Sequence, residues 1–164
     1  MNSIVKEKIA KQDSSFEVGL VTLLNGTEAD LVCHIRTELD ISRVRLLILK
    51  LTEKTNITQL LNHRLLTAVS ELGWNALKYA GGGVLCAWLY EETAYTELIV
   101  KVADEGPGIT DVEWALTEKN STGNSLGLGL SGTKRLVDSM EIWSPIEGLG
   151  HGTLVVIKLH WKNL

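Results

Sequence analysis

The order of apolar segments in this chain predicts an α/β domain with helices packed on one face of a mixed sheet. Three observations carry that expectation. Apolar residues recur at helical spacing through Val44, Leu47, Ile48 and Leu51, and again through Leu65, Val69, Leu72 and Ala76. Strand-like runs follow at Val84–Tyr90 and Thr96–Ala103, with further runs near the end of the chain. Glycine clusters stand between these segments, where helices stop and chains turn.

Taken in order, residues 1–24 read as an N-terminal arm with an extra edge strand, and 25–164 as the main domain. Phe16–Leu24 and Ala29–Glu38 read as strands around Asn25-Gly26, a dipeptide that favours hairpin turns. Asp40 or Ser42 caps a helix running to about Lys54. A second helix spans about Thr58–Tyr79 and stops at Gly81–Gly83. After the two central strands come a short helix near Asp111–Leu116, a loop over Lys119–Leu126 and a helix over Leu128–Ser139. Strands near Glu141–Ser144 and Gly152–Trp161 complete the chain.

Composition narrows the function classes. With 164 residues the chain fits one domain with a substantial core. Its 45% hydrophobic and 22% charged content is that of a globular protein, not a disordered one. A net charge of −4 gives no basis for broad nucleic-acid or membrane-surface binding. Cys33 and Cys86 sit in apolar runs without metal-ligand spacing and read as buried thiols of a reducing compartment. No run reaches membrane-spanning length and no signal-peptide core is present, so a cytoplasmic location is expected.

The chemistry concentrates in three places. Asp104 follows the apolar run Leu98–Ala103, which puts its carboxylate at the end of a buried strand. An acceptor-only group there can hold a donor such as the adenine amino group. Gly106 and Gly108 let the backbone turn sharply and approach a flat ligand, although Asp-x-Gly is also an ordinary turn. On the second helix, Glu71, Asn75 and Lys78 recur at i, i+4 and i+7, one narrow stripe at the edge of the apolar face. The Asn oxygen suits magnesium and the Glu suits orientation or deprotonation of a nucleophile; a solvated Glu–Lys face is the plainer alternative. Gly127-x-Gly129-x-x-Gly132 matches the dinucleotide fingerprint in form, but a loop composition precedes it instead of a strand. Phosphate binding at the following helix start survives that objection.

Together these residues resemble the GHKL ATPases. Glu71-Leu-Gly-Trp-Asn75-Ala-Leu-Lys78 is similar to the N box, Asp104-Glu-Gly-Pro-Gly108 to the G1 box and Gly127-Leu-Gly129-Leu130 to the G2 box. Gly150-His-Gly152-Thr153 resembles the late Gly-Thr element that closes the adenine pocket. Ser121-Thr122-Gly123 and Gly132-Thr-Lys-Arg-Leu-Val-Asp138 resemble the small serine/threonine switch kinases of the RsbT type, relatives of anti-sigma-factor kinases.

The resemblance implies a two-layer α/β sandwich of the Bergerat type and ATP with Mg²⁺. It further implies phosphorylation of a Ser or Thr on a STAS-domain antagonist protein in a partner-switching module. Carried over, Asn75 ligates Mg²⁺, Glu71 accepts the hydroxyl proton and Asp104 reads adenine with help from Thr153. Gly106, Gly108 and Ile109 form the adenine wall, while Ser121, Thr122, Gly127, Leu128, Gly129 and Leu130 meet the phosphates. Lys78, Lys134 and Arg135 either neutralise phosphate or are exposed helix charges. Further partners implied are a PP2C-type phosphatase and a second copy of the chain.

Two other readings stand beside this one: a non-catalytic ATP-binding regulator that sequesters its partner, and a detached ATP domain of a histidine kinase. His34-Ile-Arg-Thr-Glu-Leu39 resembles a phosphoacceptor box faintly, but too few residues separate it from Asn75 for a dimerisation hairpin. His34 instead lies in a strand-like run, and His63, His151 and His160 have no ligand spacing.

Overall fold

The computed structural model describes residues 23–25, 28–117 and 129–163. The arm, most of the expected Phe16–Leu24 strand and the loop Lys119–Leu126 lie outside them. Leu24 and Asn25 form a turn, with Asn25 at φ 55°, so the described end of that expected strand is not extended.

Strand β1 is Leu31–Ile35, shorter at both ends than Ala29–Glu38. The reason lies in the helix after it, α1, which spans Glu38–Thr52 and has Thr37 as its N-cap. Asp40, an expected cap, is instead the third helical residue and reaches back: its Oδ2 accepts from Thr37 N at 2.8 Å and Arg36 N at 3.0 Å. An acidic side chain that satisfies free amides at a helix start fixes that start. Helix α2, Gln59–Ala80, is capped by Thr58 Oγ1, which accepts from Leu61 N at 3.2 Å. At its other end Gly81 and Gly82 donate to Leu77 and Ala76 carbonyls, both at 3.1 Å, the double closure typical of a left-handed glycine cap.

The remaining elements are β2 (Gly83–Glu91), β3 (Tyr95–Asp104), α3 (Val112–Ala115), α4 (Gly129–Leu136), β4 (Ser139–Trp143) and β5 (Thr153–Lys162). Helix α4 ends before Ser139 because that residue already pairs with Lys158 in the sheet. Strand order is β1-β2-β3-β5-β4. Every pairing among these strands is antiparallel, which corrects the expected mixed sheet. Ile35 pairs with Gly83, and Asp104 with Thr153. The chain therefore leaves β1 and re-enters β2 at one end of the sheet, and does the same between β3 and β5. Connections that return to the end they left give antiparallel neighbours.

The expected sandwich is present, with helices on one face. Ile35, Leu85, Leu98, Val100 and Ile157 point toward Val44, Ile48, Leu65, Val69 and Leu72 of α1 and α2. Fully burying each such side chain stabilises the fold by about 1.5–3 kcal/mol, so this layer dominates stability. On the other face Val84, Cys86, Trp88 and Ala103 pack with Leu24, Ala29 and Ile146. Cys33 faces the helices and Cys86 the opposite side. Burial pushes both thiols up to about 12, consistent with inert core residues. At the end of the sheet away from Asp104, Glu92 N donates to Tyr95 O at 2.9 Å, and Asn163 Nδ2 donates to Glu92 O at 2.6 Å.

Candidate functional site

At the Asp104 end of the sheet, a cavity of about 340 Å³ opens between α2, the loop after β3, α3, α4 and β5. Its lining includes Asn75, Asp104, Gly106, Gly108, Ile109, Gly129, Leu130 and Thr153 from the sequence-derived set. Thus Asn75 of the α2 stripe, the turn after β3 and the start of α4 meet in one place.

The wall around Asp104 is built mainly from backbone. Its Oδ1 accepts from Gly106 N at 2.9 Å, and the neighbouring Thr153 amide helps to hold the charge of the same carboxylate. Burial raises the Asp104 pKa above 3.8, and these two amides only partly restore it. A carboxylate offers about four acceptor positions, so capacity remains for a ligand donor. Gly152 N donates to Gly106 O at 2.8 Å and locks the Gly-Thr element onto this turn. Gly152 has φ 81°, and a Cβ there would land on the Asp104 carbonyl oxygen. Only glycine permits that approach.

Ser144, which no sequence motif singles out, joins the same wall. Its Oγ accepts from Ile109 N at 2.6 Å, donates to Gly152 O at 3.0 Å and lies 3.1 Å from Thr153 Oγ1. The signal for it is register: Trp143 pairs with Leu154, so the next residue out, Ser144, falls beside Thr153. Tyr79 and Trp114, also absent from the motifs, line the cavity while remaining 59% and 58% exposed, which makes them aromatic edges of its mouth.

The α2 stripe divides on inspection. Asn75 is half-buried and lines the cavity. Glu71 is buried, with 9% of its surface exposed, and its carboxylate accepts from the Gly129 amide. Burial raises its pKa above the ordinary 4.5, with the Gly129 bond acting in opposition. Lys78 is exposed; its Nζ stands 5.0 Å from the Tyr79 ring centroid and it does not line the cavity. Lys134 and Arg135 are exposed on α4. Ser121, Thr122, Gly127 and Leu128 lie outside the described residues. His34 sits half-buried on β1, and His160 Nδ1 is 3.0 Å from Asp138 Oδ2. Among the described residues no group of three or more His, Cys, Asp or Glu side chains could hold a metal. No helix among them is long and apolar enough to cross a membrane.

An α/β sandwich with this site has known relatives. Residues 61–163 match the family of histidine kinase-, DNA gyrase B- and HSP90-like ATPases, and the chain belongs to that family. It is 33% identical over 109 residues to the serine/threonine-protein kinase RsbT of Bacillus subtilis (strain 168). That alignment covers 66% of this chain and 82% of RsbT. The expected GHKL membership and RsbT-type resemblance are both borne out.

Solved structures align more loosely. The mycobacterial sensor histidine kinase MprB aligns at 22% identity and a TM-score of 0.47, over 76% of this chain and 93% of its own. The nucleotide-free catalytic domain of histidine kinase ThkA aligns at 19% and 0.46, over 79% and 95%. The family assignment rests on the sequence matches and not on these alignments.

Proposed function

We propose that this chain is an ATP-dependent protein serine/threonine kinase that phosphorylates a STAS-domain antagonist protein in a partner-switching module. The observation that carries the reading is the single cavity joining Asp104 and Thr153 at one side to Asn75 and Leu130 at the other, with Glu71 behind Gly129. Family membership and the likeness to RsbT support it.

In this reading Asp104 accepts from the adenine amino group, and Gly106, Gly108 and Ile109 bound the base. The amides of Gly129 and Leu130 turn toward the phosphates, together with Ser121, Thr122, Gly127 and Leu128. Magnesium fits a site whose protein donor is one neutral carboxamide, since it keeps several waters and is held largely by phosphates. Asn75 is that ligand, and the ion when bound neutralises phosphate charge. Glu71, its pKa raised by burial, takes the proton of the incoming Ser or Thr hydroxyl. The hydroxyl oxygen bonds to the γ-phosphorus as the bond to the β-phosphate oxygen breaks, and ADP leaves. One bond from the Gly129 amide leaves other lone pairs of the Glu71 carboxylate open to take that proton. Lys78, stacked at Tyr79, contributes charge near the mouth and no direct contact. The buried reduced thiols suit a cytoplasmic protein. A PP2C-type phosphatase reversing the mark and a homodimeric assembly complete the proposed module.

The test is incubation of the full chain with labelled ATP, magnesium and candidate STAS proteins. Acid-stable phosphate on Ser or Thr is the expected result. Acid-labile phosphohistidine would place the chain with histidine kinases, and tight association without transfer would make it a sequestering regulator.

A further inference from the structure

The sheet has a second face, turned away from the helices, and it is apolar. Val84, Cys86 and Trp88 of β2, Ile99 of β3 and Leu154 of β5 belong to it, and strand alternation adds Val156. An antiparallel sheet with helices on one side ordinarily turns polar residues outward on the other. Here Val84 and Cys86 are 0% exposed and Trp88 is 8% exposed. Among the described residues, the apolar side chains that reach this cluster from outside the sheet are Leu24, Ala29 and Ile146. They are too few for a face five strands wide, which is about 19 Å at the usual strand spacing. The charge in the middle of the face is folded down. Lys101 Nζ lies 4.9 Å from the Trp88 ring centroid and reaches the Leu24 carbonyl at 3.5 Å.

We infer that residues 1–22 supply the rest of the cover, with Phe16, Val18 and Leu20 docked across the outer face over Val84, Cys86 and Trp88. The described chain begins on this surface: Leu24 is 1% exposed within the outer cluster, and residue 22 stands just before it in sequence. Six or seven extended residues at about 3.3 Å each span the width of the sheet, so the segment ahead of Leu23 is long enough to cross it. Its sequence suits the task. Phe16, Val18 and Leu20 alternate with Glu17 and Gly19, which puts the large apolar groups on one side of an extended segment. Tethering through Leu24 favours this occupant over a separate chain, because it holds the segment at high local concentration beside the face. The cover is independent of what the cleft binds.

Thiol labelling of the full chain tests the cover, because the two cysteines lie on opposite faces, Cys86 beneath it and Cys33 on the helix side. Burial holds both thiols up at about 12, so alkylation by iodoacetamide under native conditions, mapped by peptide mass spectrometry, should be slow at both in wild type. Phe16→Asp combined with Leu20→Asp puts charge into the docked segment. That variant should label Cys86 about tenfold faster or more, with Cys33 unchanged. Unchanged Cys86 protection in it overturns the inference, and so does a wild type in which Cys86 labels at the rate of a free thiol. Protection that disappears on dilution of wild type would assign the face to a second copy and overturn it as well. If the variant speeds both cysteines it has lost its fold, and a benzophenone side chain in place of Phe16 in the otherwise native chain decides. Crosslinks within one chain to β2, β3 or β5 support the docked cover. Crosslinks to β1 alone would make the segment an edge strand and overturn the inference, as would crosslinks to the helices, to another copy or to nothing.

Discussion

At one end of the cleft, Asp104 is gripped by backbone amides and Ser144 ties strand ends together; at the other, Glu71 and Asn75 are side chains projecting from the single helix α2. The strand end is made of close backbone approaches that also hold the sheet together. The helix end could lose a side chain and keep its helix. In the proposed reading, recognition of the base is therefore entangled with folding, while the chemistry of transfer is separable from it.

Four variants break or sharpen that contrast. Glu71→Ala should have the largest effect, lowering phosphoryl transfer by about 10²–10⁴-fold while leaving ATP affinity near native, as read by single-turnover assay and titration. In wild type the same group must be ionised to act, so transfer should fall on acidification through a midpoint above 4.5, measurable as a pH–rate profile. Asp104→Asn should weaken ATP by about ten- to a hundredfold with the domain still folded. Its pH signature is separate. Because the folded pKa lies above 3.8, the wild-type fold loses stability as pH rises from 3.8 through that raised value, and Asp104→Asn should lack this step in acid-range melts.

Gly152→Ala tests the entanglement itself. Its positive φ and the blocked Cβ position should cost about 1–3 kcal/mol of stability together with nucleotide affinity, by denaturant titration. Lys78→Ala should be smallest, within about 0.5 kcal/mol in stability and about twofold in ATP affinity, because the residue is exposed. A tenfold loss of ATP binding there would move Lys78 into the phosphate end.

Sequence made the helix end easier to read than the strand end. Glu71 and Asn75 sit one turn apart on α2, a relation fixed by helical periodicity alone. Asp104 was legible for a similar reason, standing at the last position of β3 before glycines. Ser144 was not, because its role comes from the β4–β5 register and from chain closure onto Ile109, 35 positions away. The same long-range origin hid the antiparallel pairing of β1 with β2, which depends on where two intervening helices return the chain. The start of α1 was misjudged by a few residues since Asp40 works equally well as a cap or as the third residue of a capped turn.

The tight hairpin around Glu91–Tyr95 and its clasp with Asn163 stand at the opposite end of the sheet from the cleft. That distance gives the molecule a handle. A dye, affinity tag or surface tether attached at this hairpin would leave the nucleotide mouth unobstructed. Immobilised in that orientation, the protein could be presented to soluble partners with its cleft facing outward.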